Sequence, residues 1–289
     1  MTYSLAGLSA ACPDGWAIEP LIKVGADLAD RARDHLASLP GVRAGEGVRV
    51  VDVQNNVVEL HYRDAAERWE HQIGGVPGWR WSELEPLLPH LSALYSNFLS
   101  GNEMELETAR RVRGAFDGPI YADLHSLFLT PPGEGARAWR QLPDPDEWLR
   151  CFDAVQLNEW ELGLLSGGGE PTDDVLSDLL ERGPSLVLVT LGERGVRYAA
   201  RPGLPDDPLA WRGAPLGDGP IRSGQVAPPL GAVEGDPTGC GDVWGSVAFS
   251  GLLGGIALEE AIARAEIAAA TKIRHPVTAH LHERLAETL

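Results

Sequence analysis

The chain has 289 residues, 44% of them hydrophobic and 23% charged, a balance that supports a large buried core and excludes disorder on a large scale. A formal net charge of −18 and a pI near 4.8 argue against nucleic acid as a partner, which would need clustered Lys and Arg over one face. The three cysteines, Cys12, Cys151 and Cys240, are far apart and form no CxxC pair, which suits a reducing cytoplasm and provides no zinc site.

In chain order, "TYSLAGLSAACPDGW" (2–16) has no basic stretch ahead of its small and apolar residues, so a secretory leader is not expected, and "CPDGW" around Asp14 reads as a turn. Residues 47–63, "GVRVVDVQNNVVELHYR", alternate apolar and polar side chains on both sides of Asn55-Asn56, a pair that tolerates a left-handed tight turn, and predict a two-stranded ribbon. With the Trp-rich "RWEHQIGGVPGWRW" (68–81) this ribbon is expected to form a small sheet or cover projecting from the main body.

From about residue 90 the order becomes strand then helix, the pattern of parallel α/β units. "ALYSNFLSG" (93–101) reads as a strand, "EMELETARRVRGAF" (103–116) as an amphipathic helix, and "GPIYADLHSL" (118–127) as the next strand. "PDEWLRCF" (145–152) is a short helix, "DAVQLN" (153–158) a strand, and "EWELGLLS" (159–166) a helix. "TDDVLSDLLERG" (172–183) is a helix whose threonine and aspartates suit its N-terminus, followed by the buried strand "PSLVLVTLG" (184–192). Residues 201–220, rich in Pro and Gly and without a period, read as a long loop. The uncharged run Val243–Leu258 is 16 residues with several glycines, short of the roughly 20 that a membrane span needs, and reads as a buried helix; no membrane association is expected.

"GDPTGCGD" (235–242) places glycines directly ahead of that helix. The first N–H groups of a helix lack intrahelical partners and carry the positive end of its dipole, and glycines let a ligand approach the backbone, so Gly239, Cys240 and Gly241 read as an anion hole. Asp242 at the helix start is either a helix cap or a general base for a hydroxyl attacking phosphorus. No Gly-Lys-Ser/Thr follows, so this is not a Walker A loop. "NEWE" places Asn158 and Glu161 three apart just after a strand, readable as a cap and a solvated residue or as a working pair. "TLGERG" puts Thr190, Gly192 and Gly195 at a strand end, as turn formers or as a backbone surface open to a nucleotide. Asp123, His125 and Asn97 fall at the C-terminal ends of predicted strands, the edge where α/β sheets bind ligands.

Together, in this order, "NEWE", "TLGERG" and "DPTGCGD" resemble the elements of the PfkB or ribokinase-like family of small-molecule kinases, well over about residues 90–275 and more weakly back to about residue 20. The resemblance implies one three-layer α/β sandwich with a mostly parallel sheet and a β lid at about 47–82. It implies that Asp242 is the catalytic base and that Gly239, Cys240 and Gly241 stabilise the transferred phosphoryl group. It further implies that Glu161 with Asn158 arranges Mg²⁺ through water, that Thr190, Gly192 and Gly195 face ATP, and that "ALEEAIARAEIAAATKI" flanks the adenine. Asp123, His125 and Asn97 are candidate substrate contacts. The implied reaction is ATP- and Mg²⁺-dependent phosphorylation of a hydroxyl on a sugar or sugar derivative, the alternatives being a nucleoside acceptor or a degenerate nucleotide-binding member. A homodimer through the lid is compatible with the resemblance.

Cys240 stands where alanine is usual, which leaves the backbone N–H unchanged. At the front, "KVGADLADRARDHLASLPGV" (23–42) resembles a strand and helix that in this family follow an earlier strand bearing an aspartate and a Gly-Gly pair, and no counterpart of that earlier strand is found. Its neighbours are therefore expected to keep open edges.

Overall fold

The computed structural model describes residues 1–289 apart from 63–67, 132, 134 and 216. The chain opens with α1 (Thr2–Ala11), β1 (Ile22–Gly25), α2 (Ala29–Ala37), β2 (Val48–Val51), β3 (Val57–Tyr62), β4 (Arg68–Ile73) and α3 (Trp81–Leu84). It continues through β5 (Leu94–Asn97), α4 (Leu106–Ala115), β6 (Ile120–Asp123), α5 (Pro145–Leu149), β7 (Ala154–Asn158), α6 (Glu159–Ser166), α7 (Asp173–Arg182) and β8 (Leu186–Thr190). It ends with β9 (Val196–Ala200), β10 (Arg222–Val226), α8 (Cys240–Leu253), α9 (Leu258–Arg274) and α10 (Leu281–Ala286).

A six-stranded sheet in the order β10-β9-β8-β7-β6-β5 forms the middle layer. Strands β5 to β8 are parallel, and β8, β9 and β10 follow as an antiparallel meander. The alternation along each strand sorts its side chains into two cores. Ile120, Val155, Leu157, Val187 and Val189 face Val112, Leu162, Leu176 and Leu179 of α4, α6 and α7. Tyr121, Ala154, Leu186 and Leu188 face Trp244, Val247, Ile262 and Ala265 of α8 and α9. Both faces of the strands are therefore dry, which is why their sequences read as continuous apolar runs. Helix α8 is buried from Val243 to Leu252, as its uncharged sequence requires. At about 1.5–3 kcal/mol for each fully buried large apolar side chain, α8 anchors one end of the site firmly.

The ribbon predicted around Asn55-Asn56 is corrected by the structure. Strand β2 pairs in parallel with β1, and β3 pairs antiparallel with β4, so the hairpin lies one strand later than the sequence suggested. Asn55 and Asn56 have no positive φ; their side chains stitch loops together instead. Asn55 Oδ1 accepts from Gly25 N–H (2.9 Å), and Asn56 Oδ1 accepts from Val76 N–H (3.0 Å). These side-chain bonds satisfy backbone groups that a tight turn would have paired. Residues 63–67, part of the lid predicted at about 47–82, lie outside the described residues.

Among the described residues no strand joins the β1-β2 sheet to β5, the edge strand of the six-stranded sheet. Strand β5 pairs only with β6, β1 pairs only with β2, and a cavity of about 720 Å³ lies along them, lined among others by Ile22, Lys23, Leu94 and Asn97. The open edges expected from the resemblance are therefore present.

Strand β4 is tied to the rest of the chain by Arg137, which is almost wholly buried. Its guanidinium donates to Glu70 Oε1 (2.8 Å), Gln72 Oε1 (3.2 Å), the Thr130 carbonyl (2.8 Å) and the Ser126 carbonyl (3.3 Å), while its own N–H donates to the Glu70 carbonyl (2.8 Å). Arg137→Leu removes the guanidinium donors from Glu70 Oε1, Gln72 Oε1 and the Thr130 carbonyl, while the backbone bond to Glu70 and the bond from Leu129 N–H to the Ser126 carbonyl remain. The expected result is a lower Tm, by about 5 °C or more, measured by calorimetry, because breaking a buried pair from one side is strongly destabilising.

Candidate active site

The mouth of α8 is built by strain that only glycine relieves. Gly239, the N-cap, sits at φ 77°, and a Cβ there would run into the ring of Tyr3 from α1. Residues 239–242 nonetheless stay half-exposed, so the mouth is open to a ligand. Pro237 and the Asp236 side chain shape the turn before it: Asp236 Oδ1 accepts from Thr238 N–H (2.9 Å), and the Pro237 carbonyl accepts from Cys240 N–H (3.0 Å). The Cys240 amide is thus engaged within the turn in this structure, and the predicted trio Gly239, Cys240 and Gly241 is not uniformly free. Burial raises the Cys240 thiol, which stays in its neutral form at neutral pH.

Asp242, one turn into the helix mouth, is held by Asn97 at the end of β5: Asn97 Nδ2 donates to Asp242 Oδ1 (2.5 Å) and to Ser4 Oγ (2.7 Å). Asn97, Ser4 and the β5 edge also line the large cavity, so the carboxylate stands beside space that an acceptor can enter. Beneath it a chain of polar side chains fastens the helix to the sheet. Tyr121 Oη donates to Gln156 Oε1 (2.9 Å), and Gln156 Nε2 donates to Asp123 Oδ2 (3.2 Å) and to the Gly241 carbonyl (3.2 Å). Tyr95 Oη reaches the Asp242 carbonyl at 3.5 Å. Gly245 permits this approach, since a Cβ there would meet Gln156 Oε1 at 2.1 Å and Tyr95 Oη at 2.8 Å. Gln156, Tyr95 and Tyr121 escaped the sequence reading; the one available signal was a glutamine in an otherwise apolar buried strand.

Asn158 and Glu161 form a capping box at the start of α6: the Asn158 side chain accepts from Glu161 N–H (2.9 Å), and Glu161 Oε2 accepts from Asn158 N–H (2.8 Å). The solvated reading of Glu161 is excluded, because it is 1% exposed. Its Oε1 also meets His125 Nδ1 at 2.5 Å, which makes the pair an ion pair when the imidazole is protonated. Glu161 holds the proton on His125, raising its pKa to about 9 against the opposing effect of burial, with Asp123 and Asp242 adding to the rise. Asp123 is pushed up to about 7, first by burial and then by the charge of Glu161. Asp123, His125 and Asn97 therefore converge beneath Asp242, and the ring edge of Trp139 closes over His125 at 5.8 Å between centroids.

On the other side of the sheet edge, Thr190 ends β8 and its hydroxyl donates to the Leu157 carbonyl (3.4 Å). Gly192 (φ 59°) has open space where a Cβ would stand. Gly195 (φ 80°) is required by a different neighbour: a Cβ there would strike the Val226 carbonyl of β10 at 2.0 Å. Its glycine serves the β9–β10 packing as much as any nucleotide.

No group of three or more metal-ligating side chains occurs among the described residues. Both Glu161 oxygens already accept protein donors, so a magnesium ion fits here only through water and the oxygens of a phosphate, which is how that ion usually binds. The nearby carboxylates Asp123, Glu161 and Asp242 supply the negative field that would favour it.

A parallel α/β sheet whose strand ends meet a glycine-lipped helix N-terminus, with a carboxylate on its first turn, is an arrangement suited to holding a phosphate beside an acidic side chain. Residues 135–284 match the pfkB family carbohydrate kinase domain, more than half of the chain, and the chain belongs to that family. No curated protein matches it in sequence. Its fold is that of solved ribokinase-like kinases. A pyrophosphate-dependent kinase in the ribokinase family shares 18% identity at a TM-score of 0.70, with 99% of this chain and 90% of that chain covered. The ribokinase of Thermotoga maritima shares 17% at 0.69, covering 99% and 85%. The adenosine kinase of Sinorhizobium meliloti shares 19% at 0.67, covering 95% and 76%.

Proposed function

We propose that this protein transfers the γ-phosphoryl group of ATP to a hydroxyl of a small sugar or sugar derivative, with Asp242 as the base. The observation that carries the reading is the Asp242 carboxylate on the first turn of α8, bonded at 2.5 Å to Asn97, which lines the cavity along β5. Asp242 takes the proton of the acceptor hydroxyl as its oxygen bonds to the γ-phosphorus. The γ-phosphorus bond to the bridging oxygen breaks, and ADP leaves with that electron pair. The N-terminal amides and dipole of α8 face the charge that spreads over the transferred oxygens. Asn158 and Glu161 would orient a magnesium ion through its water shell, and that ion, when bound, screens the phosphate charge. Thr190 and Gly192 lie along the nucleotide side, and the β3–β4 lid, held by Arg137, excludes water from the acceptor side.

The neighbours named above include kinases of ribose, adenosine and pyrophosphate-dependent type, so acceptor and donor are both open to direct test. A coupled ADP-release assay with Mg²⁺ over sugars, polyols and nucleosides, repeated with pyrophosphate and phosphate release as the readout, decides between them. Turnover with a sugar and ATP supports the reading; turnover only with pyrophosphate replaces the donor, and turnover only with nucleosides replaces the acceptor. Nucleotide binding without any turnover supports the degenerate alternative.

A further inference from the structure

Lys272, near the end of α9, has a side chain with no solvent exposure, and the transfer chemistry above makes no use of it. An ammonium is costly to bury, and an ion pair of this kind adds little stability over an apolar pair, so its surroundings are informative. Its Nζ donates to the Asp236 carbonyl (2.8 Å), lies 3.7 Å from Asp236 Oδ2, and sits over the ring of Tyr3 at 5.0 Å from the centroid. Every one of these partners belongs to the phosphate-side turn or packs on it. Asp236 opens the turn and holds Thr238 N–H, and the Tyr3 ring lies against Gly239. The next residue, Ile273, accepts from Asp236 N–H at 3.2 Å, and its carbonyl would meet a Cβ on Gly235 at 2.2 Å. The charge is also felt at the helix mouth: burial raises the Cys240 thiol, and Lys272 pulls against that rise.

We propose that Lys272 is a positioning residue for phosphate binding: its buried ammonium, gripped by the Asp236 carbonyl, the Asp236 carboxylate and the Tyr3 ring, holds the 235–239 turn in shape and supplies a fixed positive charge behind the mouth of α8. Three anchors from one short stretch of α9 and one from α1 converge on this turn, and without the ammonium the Asp236 carbonyl loses the side-chain donor that holds it to α9. The inference rests on the kinase reading, because it assigns Lys272 to the donor side of the same site.

The test uses the full chain and calorimetric binding of Mg-ATP. Lys272→Ala deletes the propylammonium portion of the side chain and leaves a hole of that shape, whereas Lys272→Met fills it without charge. Both variants are expected to bind Mg-ATP about tenfold or more weakly than the wild type. Added n-propylammonium chloride is expected to restore most of the affinity of Lys272→Ala and none of that of Lys272→Met, while sodium chloride at equal ionic strength restores neither. Unchanged affinity in Lys272→Ala, or a loss that propylammonium and sodium treat alike, overturns the proposal. If Lys272→Ala does not fold, Asp236→Asn keeps the carbonyl and removes only the half-exposed carboxylate; a loss of about threefold or more supports the proposal, and wild-type affinity overturns it. Failure of the wild-type chain itself to bind Mg-ATP or pyrophosphate overturns the kinase reading before any substitution is made.

Discussion

Asp242→Asn is expected to lower kcat by about 10³-fold or more while leaving the dissociation constant of Mg-ATP within a few-fold of wild type. The substitution keeps the size of the side chain and still allows a hydrogen bond with Asn97, so the mouth of α8 keeps its geometry. What is lost is the basicity of the carboxylate that accepts the hydroxyl proton, without which the attacking oxygen must bond to phosphorus while still protonated. Rapid-quench measurement of product formation, alongside calorimetry for the donor, separates the two quantities. A variant turning over at the wild-type rate would remove Asp242 from the chemistry and leave it as an acidic first-turn residue that favours the helix dipole.

The second large effect concerns the pair beneath it. His125→Ala strips Glu161 of its cationic partner and leaves a carboxylate that is 1% exposed. Breaking a fully buried pair costs about 3–5 kcal/mol, and because His125 keeps 34% of its side-chain surface exposed, solvent screening lowers the expectation to about 2 kcal/mol. In a chain of this size that corresponds to a fall in Tm of about 5 °C, readable by calorimetry. The double variant His125→Ala/Glu161→Gln, which removes both charges, is expected to recover part of the loss; no recovery would mean that the pair acts through packing alone.

The same cluster sets a pH dependence. His125 has its pKa raised to about 9 from 6.5, so its contribution is fully present below pH 6.5 and is lost as the pH rises through 9. Asp123, raised to about 7 from 3.8, also favours the protonated form in the folded state, so stability falls as it ionises between those values. Both signs agree: Tm is expected to decline from pH 5 toward pH 9.5, about the range set by the two groups, and His125→Gln is expected to flatten the upper part of that decline. The groups facing His125 are Glu161, Asp123, Asp242 and the uncharged Trp139 ring, so no nearby cation opposes this sign among them.

Much of the fold was legible because its signals are local. The apolar runs at 118–127, 153–158 and 184–192 became β6, β7 and β8, and "TDDVLSDLLERG" became α7 with Thr172 accepting from Val175 N–H as its cap. The glycine-rich lip and acidic first turn of α8 were legible for the same reason: a left-handed residue followed by an apolar helix is written in consecutive positions. The Asn55-Asn56 pair misled because its amides bind Gly25 and Val76, residues remote in sequence, and β10 went unmarked because "RSGQV" is a half-exposed edge strand with little apolar alternation.

The amino-acid order by itself thus determined the α/β class, the family and the identity of the residues at the helix mouth, since propensity, periodicity and backbone freedom act over a few neighbouring residues. Which of those residues work together was decided only by the folded chain. Asn97 meets Asp242 across 145 positions, His125 meets Glu161 across 36, and Lys272 meets Asp236 across 36. Such pairings, and the shifted proton affinities that follow from them, come from desolvation and charge proximity. Those arise only when separate segments are brought together and water is removed between them.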